Sequence, residues 1–161
     1  MTTFENYLPA TTGTIRIEAL DAEDDESIAV IPRVSMLWDT AAHFTIVSEN
    51  LLPKPFRDCI NSPGYKKIYG ADNGISVQIS LVIQFSNTSA YFESIAIVRP
   101  SSRLPNNFSG VILGQHSLLN SLKYEITPAR VLRAQGHTVE DHTWGDISIH
   151  GYVAAGQYTP L

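Results

Sequence analysis

The sequence predicts one all-β domain closed into a barrel, and three observations carry that expectation. The first is size and composition: 161 residues, 43% hydrophobic and 17% charged, describe one ordinary globular domain with a real core. The second is alternation. Ile75-Ser76-Val77-Gln78-Ile79-Ser80-Leu81-Val82-Ile83-Gln84-Phe85 alternates cleanly, the period of a half-buried strand. The third is punctuation: short strand-like runs are separated by turn signals at intervals of roughly ten residues, which favours a barrel over a βαβ fold.

Along the chain, residues 1–13 carry Pro9 and Gly13 and read as an N-terminal arm or edge strand. Thr14 to Leu20 alternates as a strand, and the acidic run Asp21 to Glu26 reads as a solvated turn, because its like charges repel. Ser27–Arg33 and Val34–Trp38 read as a strand, a break at Pro32-Arg33, and a buried strand that delivers Asp39. Phe44–Val47 is another buried strand. Ser48–Leu52 reads as a single helical turn stopped by Pro53 and Pro55, followed by a loop through Cys59, Pro63 and Gly64.

Tyr65–Tyr69 leads into Gly70-Ala71-Asp72-Asn73-Gly74, a strong hairpin turn signal. The long strand from Ile75 turns at Asn87-Thr88-Ser89 and pairs with Tyr91–Val98. Arg99–Asn107 is a Pro-broken polar loop, and Val111–Leu113 is a short apolar strand ending at Gly114. Ser117–Leu122 has helical spacing, which gives one short helix near the C-terminal end of the domain. Tyr124–Thr127 is a strand, and Asp146–Val153 is one more inside a 129–161 extension.

Charge and cysteine usage narrow the function. A net charge of −5 leaves no basic surface for phosphates, so neither nucleic acid nor an anionic membrane is expected as a partner. Cys59 is the single cysteine, so no internal disulfide forms and an intracellular, cytoplasmic setting is expected. The start has no basic segment followed by an apolar run, and no stretch approaches the roughly 18 apolar residues of a membrane span. The sequons at Asn87 and Asn107 would matter only in a secreted protein.

Other constellations carry less. His137, His142 and His150, with Glu140, Asp141 and Asp146, match no compact metal-ligand spacing and read as surface residues, so no metal is expected. His43 and His116 read as packing or surface residues, Trp38 and Trp144 as core or interface, and Cys59 as a small apolar residue. There is no Gly-x-Ser-x-Gly elbow, and Gly70–Gly74 lacks the Lys-Ser/Thr of a phosphate loop.

Leu37-Trp38-Asp39-Thr40-Ala41-Ala42-His43-Phe44-Thr45-Ile46-Val47 resembles the active-site motif of aspartic proteases. Gly110-Val111-Ile112-Leu113-Gly114-Gln115-His116-Ser117-Leu118-Leu119 is similar to the apolar-apolar-Gly strand and following short helix of retropepsins, the single-domain proteases of retroviruses and retrotransposons. The hairpin at Gly70–Gly74 lies between the two, where that family carries its flap. Covering about residues 14–128, the resemblance implies a closed β domain in which the second motif crosses beneath the catalytic loop. It implies a homodimeric aspartic endopeptidase without a cofactor, acting on an extended peptide or polyprotein substrate.

Under that resemblance Asp39 is the catalytic aspartate, supplied once by each copy to a dyad that shares a proton. Thr40 links the two loops across the axis, and Ala41 offers backbone near the substrate. Gly70, Ala71, Asp72, Asn73 and Gly74 form the flap. Ala41 departs from the family's Gly and adds a methyl where backbone and substrate approach. The alternative is therefore a domain that no longer cleaves and serves as a dimerisation or peptide-binding module.

Overall fold

Alternation builds the wall of the barrel. In the computed structural model, which describes residues 2–5, 8–20, 28–62, 65, 75–116, 118–141 and 143–161, the chain forms ten strands among these residues. They are β1 Thr2–Glu5, β2 Leu8–Ala19, β3 Ile28–Trp38, β4 Thr45–Ser48, β5 Ile75–Gln84, β6 Ser89–Arg99, β7 Val111–Leu113, β8 Leu122–Pro128, β9 Thr143–Ala154 and β10 Gln157–Pro160. Val77, Ile79, Leu81 and Ile83 of β5 point inward and are fully buried, while Gln78, Val82 and Gln84 face out. β5 pairs antiparallel with β6 through a tight turn, from Gln84 opposite Ser89 to Ile75 opposite Val98.

Six strands close on themselves. β2 pairs with both β3 and β5, and the path β2–β3–β7–β4–β6–β5 returns to β2 through Ile15 opposite Leu81 and Ile17 opposite Ile79. Closure leaves these strands no free edge inside the ring. Ile15, Ile17, Met36, Val47, Val77, Ile79, Leu81, Ile83 and Leu113 fill it.

The break expected at Pro32-Arg33 is a bulge inside one continuous strand. β2 and β3 pair from Ala10 opposite Leu37 to Gly13 opposite Val34, then resume at Ile15 opposite Ile31. Pro32 and Arg33 are both exposed, and Arg33 is left-handed at φ 54°. A bulge accepts a proline because it spends no ladder N–H there, and it twists β3 so that both halves stay in the sheet.

Helices are few. The single turn expected over Ser48–Leu52 is a 3-10 turn, Glu49–Leu51, that ends before Pro53, but the loop expected through Cys59 is a helix, α1 Lys54–Ile60, with Pro53 as its N-cap residue and Pro55 in its first turn. Proline suits a first turn because the N–H it lacks would have no partner there. The helical spacing over Ser117–Leu122 yields only one 3-10 turn, Leu119–Ser121, before β8 begins at Leu122. Leu118 and Leu119 are buried in the main core, so tertiary packing sets the conformation of that segment. A further helix, α2 Ala129–Ala134, buries Ala129 and Leu132.

The 129–161 segment contributes to the core. β9 pairs with β8 and places Ile147 and Ile149 among the fully buried residues of the main cluster. It also flanks β1, whose other edge pairs with β2. Both atoms of the Asn87 amide hold Ile149: Nδ2 donates to its carbonyl at 2.8 Å, and Oδ1 accepts from its N–H at 3.3 Å. The acidic run 21–26, the Gly70–Gly74 hairpin, Ser117, His142 and the side chain of Trp144 lie outside the described residues.

Candidate active site

β3 ends in a buried anchor. Trp38 is 2% exposed, its indole Nε1–H donates to Thr11 Oγ1 at 2.9 Å, and its ring meets Tyr124 and Phe85 edge-on, with centroids 5.0 and 5.9 Å away. A buried indole N–H needs such a partner. With Trp38 held, the next residue emerges from the barrel in one direction: Asp39 is half-buried, and Thr40 and Ala41 are exposed.

β7 lies beneath this loop. Its three residues are buried between β3, to which it runs parallel with Trp38 opposite Leu113, and β4, to which it runs antiparallel with Val47 opposite Val111. The Asp39 N–H donates to the Leu113 carbonyl at 3.2 Å. The loop then tightens on its own carboxylate, since Asp39 Oδ1 accepts the Ala41 N–H at 3.0 Å and the Asp39 carbonyl accepts the Ala42 N–H at 3.1 Å. Asp is suited to this turn because its short side chain reaches backbone two residues ahead.

The chain leaving β7 pairs with the same loop. Gln115 N–H donates to the Ala42 carbonyl at 2.9 Å, His116 N–H to the His43 carbonyl at 2.8 Å, and Gln115 Nε2 to the Thr40 carbonyl at 3.0 Å. Gly114 makes this approach possible. Its N–H donates to the buried Thr45 hydroxyl at 3.1 Å, and a Cβ there would stand 2.4 Å from the Phe44 carbonyl oxygen. Gly110 plays the same part at the other end of β7, where a Cβ would stand 2.4 Å from the Ser35 carbonyl oxygen.

Thus Asp39, Thr40 and Ala41 occupy one exposed loop, clamped from below by Leu113 and from the side by Gln115. Sequence reasoning missed Gln115 and Thr45, whose partners lie 75 and 69 residues away and leave no local pattern. Gly70–Gly74 lies outside the described residues, so its place relative to Asp39 is not part of this geometry. Among the described residues there is one such aspartate loop, and a carboxylate dyad needs two.

The remaining candidates are scattered. Among the described residues no group of three or more His, Cys, Asp or Glu side chains is placed to hold a metal ion. His137 is exposed, and the exposed His150 pairs with Ser148 Oγ at 3.2 Å. An open groove of about 820 Å³ lies along Tyr91, Phe92, Leu122, Tyr152 and Val153, and none of Asp39–Ala41 lines it. Among the described residues no helix is long and apolar enough to cross a membrane. No family model matches the chain, and no curated protein matches it.

Proposed function

We propose that this chain is a retropepsin-like aspartic endopeptidase that works as a homodimer, with Asp39 of each copy forming the catalytic dyad. One observation carries the reading: the Val111–Leu113 strand sits between β3 and β4 directly under the Asp39 loop, with the Asp39 N–H on the Leu113 carbonyl. That is the relation between the two motifs that the sequence resemblance implies, and residues so far apart have no local reason to adopt it.

The chemistry follows from two carboxylates in one place. At about 3 Å separation both cannot ionise, so the pair holds one proton. The ionised member takes a proton from a water as it attacks the scissile carbonyl, and the protonated member donates to the carbonyl oxygen as charge develops there. The mechanism uses no metal or cofactor. A two-fold axis beside Asp39 would bring the exposed Thr40 of each copy to the junction. An extended peptide would lie across both loops, held by main-chain pairing.

Ala41 is compatible with this loop. The described non-glycine residues with positive φ are Arg33, Asn106, Asn107 and Ala155, so the Ala41 backbone is in a region any L-residue adopts. The same methyl favours a second reading, a module that binds peptide or dimerises without cleaving, because the exposed Cβ stands where substrate backbone would approach.

Cleavage of a diverse peptide library at mildly acidic pH separates the two, using wild type and Asp39→Asn at matched concentrations with pepstatin as control. The endopeptidase reading expects pepstatin-sensitive cleavage that falls in Asp39→Asn by about 10²–10⁴-fold, the contribution of a general acid–base group. Equal cleavage by both proteins refutes Asp39. No cleavage by either, with both folded and dimeric, leaves the module.

A further inference from the structure

We propose that His43 and His116 form a two-imidazole site for a divalent borderline cation, zinc or copper, bridging the two loops that frame Asp39. The ring centroids lie 5.7 Å apart. Two imidazoles on one tetrahedral zinc, each with Zn–N about 2.0–2.1 Å, place their centroids about 5 Å apart. The observed separation is close to that value, and both residues are exposed to solvent.

Two further features suit ligation. The backbone already fixes the pair, since His116 N–H donates to the His43 carbonyl at 2.8 Å, so little order is lost when a cation joins the rings. Phe44 stands edge-on to both, 4.4 Å from the His43 centroid and 5.6 Å from that of His116, and forms an apolar wall behind them. An apolar wall limits water around a bound ion and raises the worth of each ligand. Imidazole prefers zinc and copper to magnesium or calcium, and water completes the coordination.

The consequence is a staple. The His43 loop follows Asp39-Thr40-Ala41, and the His116 loop carries Gln115, which bonds to the Thr40 and Ala42 carbonyls. A bound cation therefore stiffens the Asp39 loop from the side, whether or not the chain cleaves peptides.

The test is a titration of the full chain with zinc chloride in a non-chelating buffer, followed by calorimetry and by NMR of the imidazole nitrogens. Zinc is expected to saturate at one per chain and to move the His43 and His116 resonances together, leaving those of His137 and His150 in place. His43→Gln and His116→Gln should each weaken binding by at least about tenfold, the lower end of what losing even an outer-shell partner costs a metal site. Both side chains are exposed, and unchanged amide spectra will show that the variants are folded. Asp39→Asn should bind zinc as wild type does. The assignment is overturned if zinc moves only the tail histidines, if either glutamine variant binds normally, or if Asp39→Asn abolishes binding.

Discussion

Replacing Gly114 with alanine tests the architecture under the Asp39 loop. The new Cβ would stand 2.4 Å from the Phe44 carbonyl oxygen, 2.5 Å from its carbon and 2.9 Å from the Thr45 nitrogen, all backbone atoms. Contacts below 3.0 Å are essentially never made by a real Cβ, so something must move by at least about 0.6 Å. β4 is poorly placed to yield, because it is bonded to β6 on one side and β7 on the other. The chain at Gly114 must retreat instead. Its N–H then leaves the Thr45 hydroxyl, which is fully buried, and the neighbouring Leu113 carbonyl is drawn away from Asp39.

Overpacking of this kind costs about 1–3 kcal/mol, and a buried hydroxyl left without its partner costs about 1–3 kcal/mol more. Gly114→Ala is therefore expected to lose about 2–6 kcal/mol, read as a lower urea midpoint at constant m-value. Hydrogen exchange at the Asp39 amide should accelerate by more than the global loss explains. A midpoint within about 0.5 kcal/mol of wild type, the range of an ordinary surface substitution, would refute the close approach of the two loops.

Two further perturbations address what holds β3 and the tail. Thr11→Val, Trp38→Phe and the double variant form a cycle that should show a coupling of about 1 kcal/mol in chemical denaturation; strict additivity would mean that the buried indole–hydroxyl bond contributes nothing. Asn87→Ala removes both bonds to Ile149 and should cost about 1–2 kcal/mol in thermal or urea unfolding, with Asn87→Asp costing at least as much, because its second carboxylate oxygen would face the Ile149 carbonyl oxygen in place of a donor. An unchanged midpoint in Asn87→Ala would show that β9 does not depend on this clamp.

Much of the barrel is written locally. β5 alternates because one face is core, so Val77, Ile79, Leu81 and Ile83 announce the strand and its inward side together. The buried run Met36-Leu37-Trp38 likewise marks the strand that ends at Asp39. The remainder depends on partners distant in sequence. Pro32 looks like a stop until β3 is seen to bulge there and stay paired with β2, and Pro53 and Pro55 serve to begin a helix as readily as to end a turn. Ser117–Leu122 has the spacing of a helix, yet with Leu118 and Leu119 buried in the main core it forms a single tight turn.

The candidate site divides the same way. Asp39, Thr40 and Ala41 are visible as a motif, whereas Gln115 and Thr45 acquire their roles only when β7 threads between β3 and β4. β10 is exposed along its whole length and carries no alternation, so nothing in its four residues distinguishes it from a loop. Its pairing with β9 is what makes it a strand.

The place of β1 sets an order in time. This strand lies between β2 and β9, with Thr3 opposite both Ala10 and Thr143. During synthesis at the usual pace of about 5–20 residues per second, β1 spends several seconds with one edge open, awaiting a partner made about 140 residues later. In free energy the delay is minor: closing the roughly 140-residue span to β9 costs only about 0.7 kcal/mol more than the roughly 66-residue span from Ile15 to Leu81. In rate it is not, because distant pairings slow folding far more than they weaken the product. The barrel strands up to β7 can pair before β1 is sealed, and until β9 arrives β1 presents an open edge to mispairing with another chain.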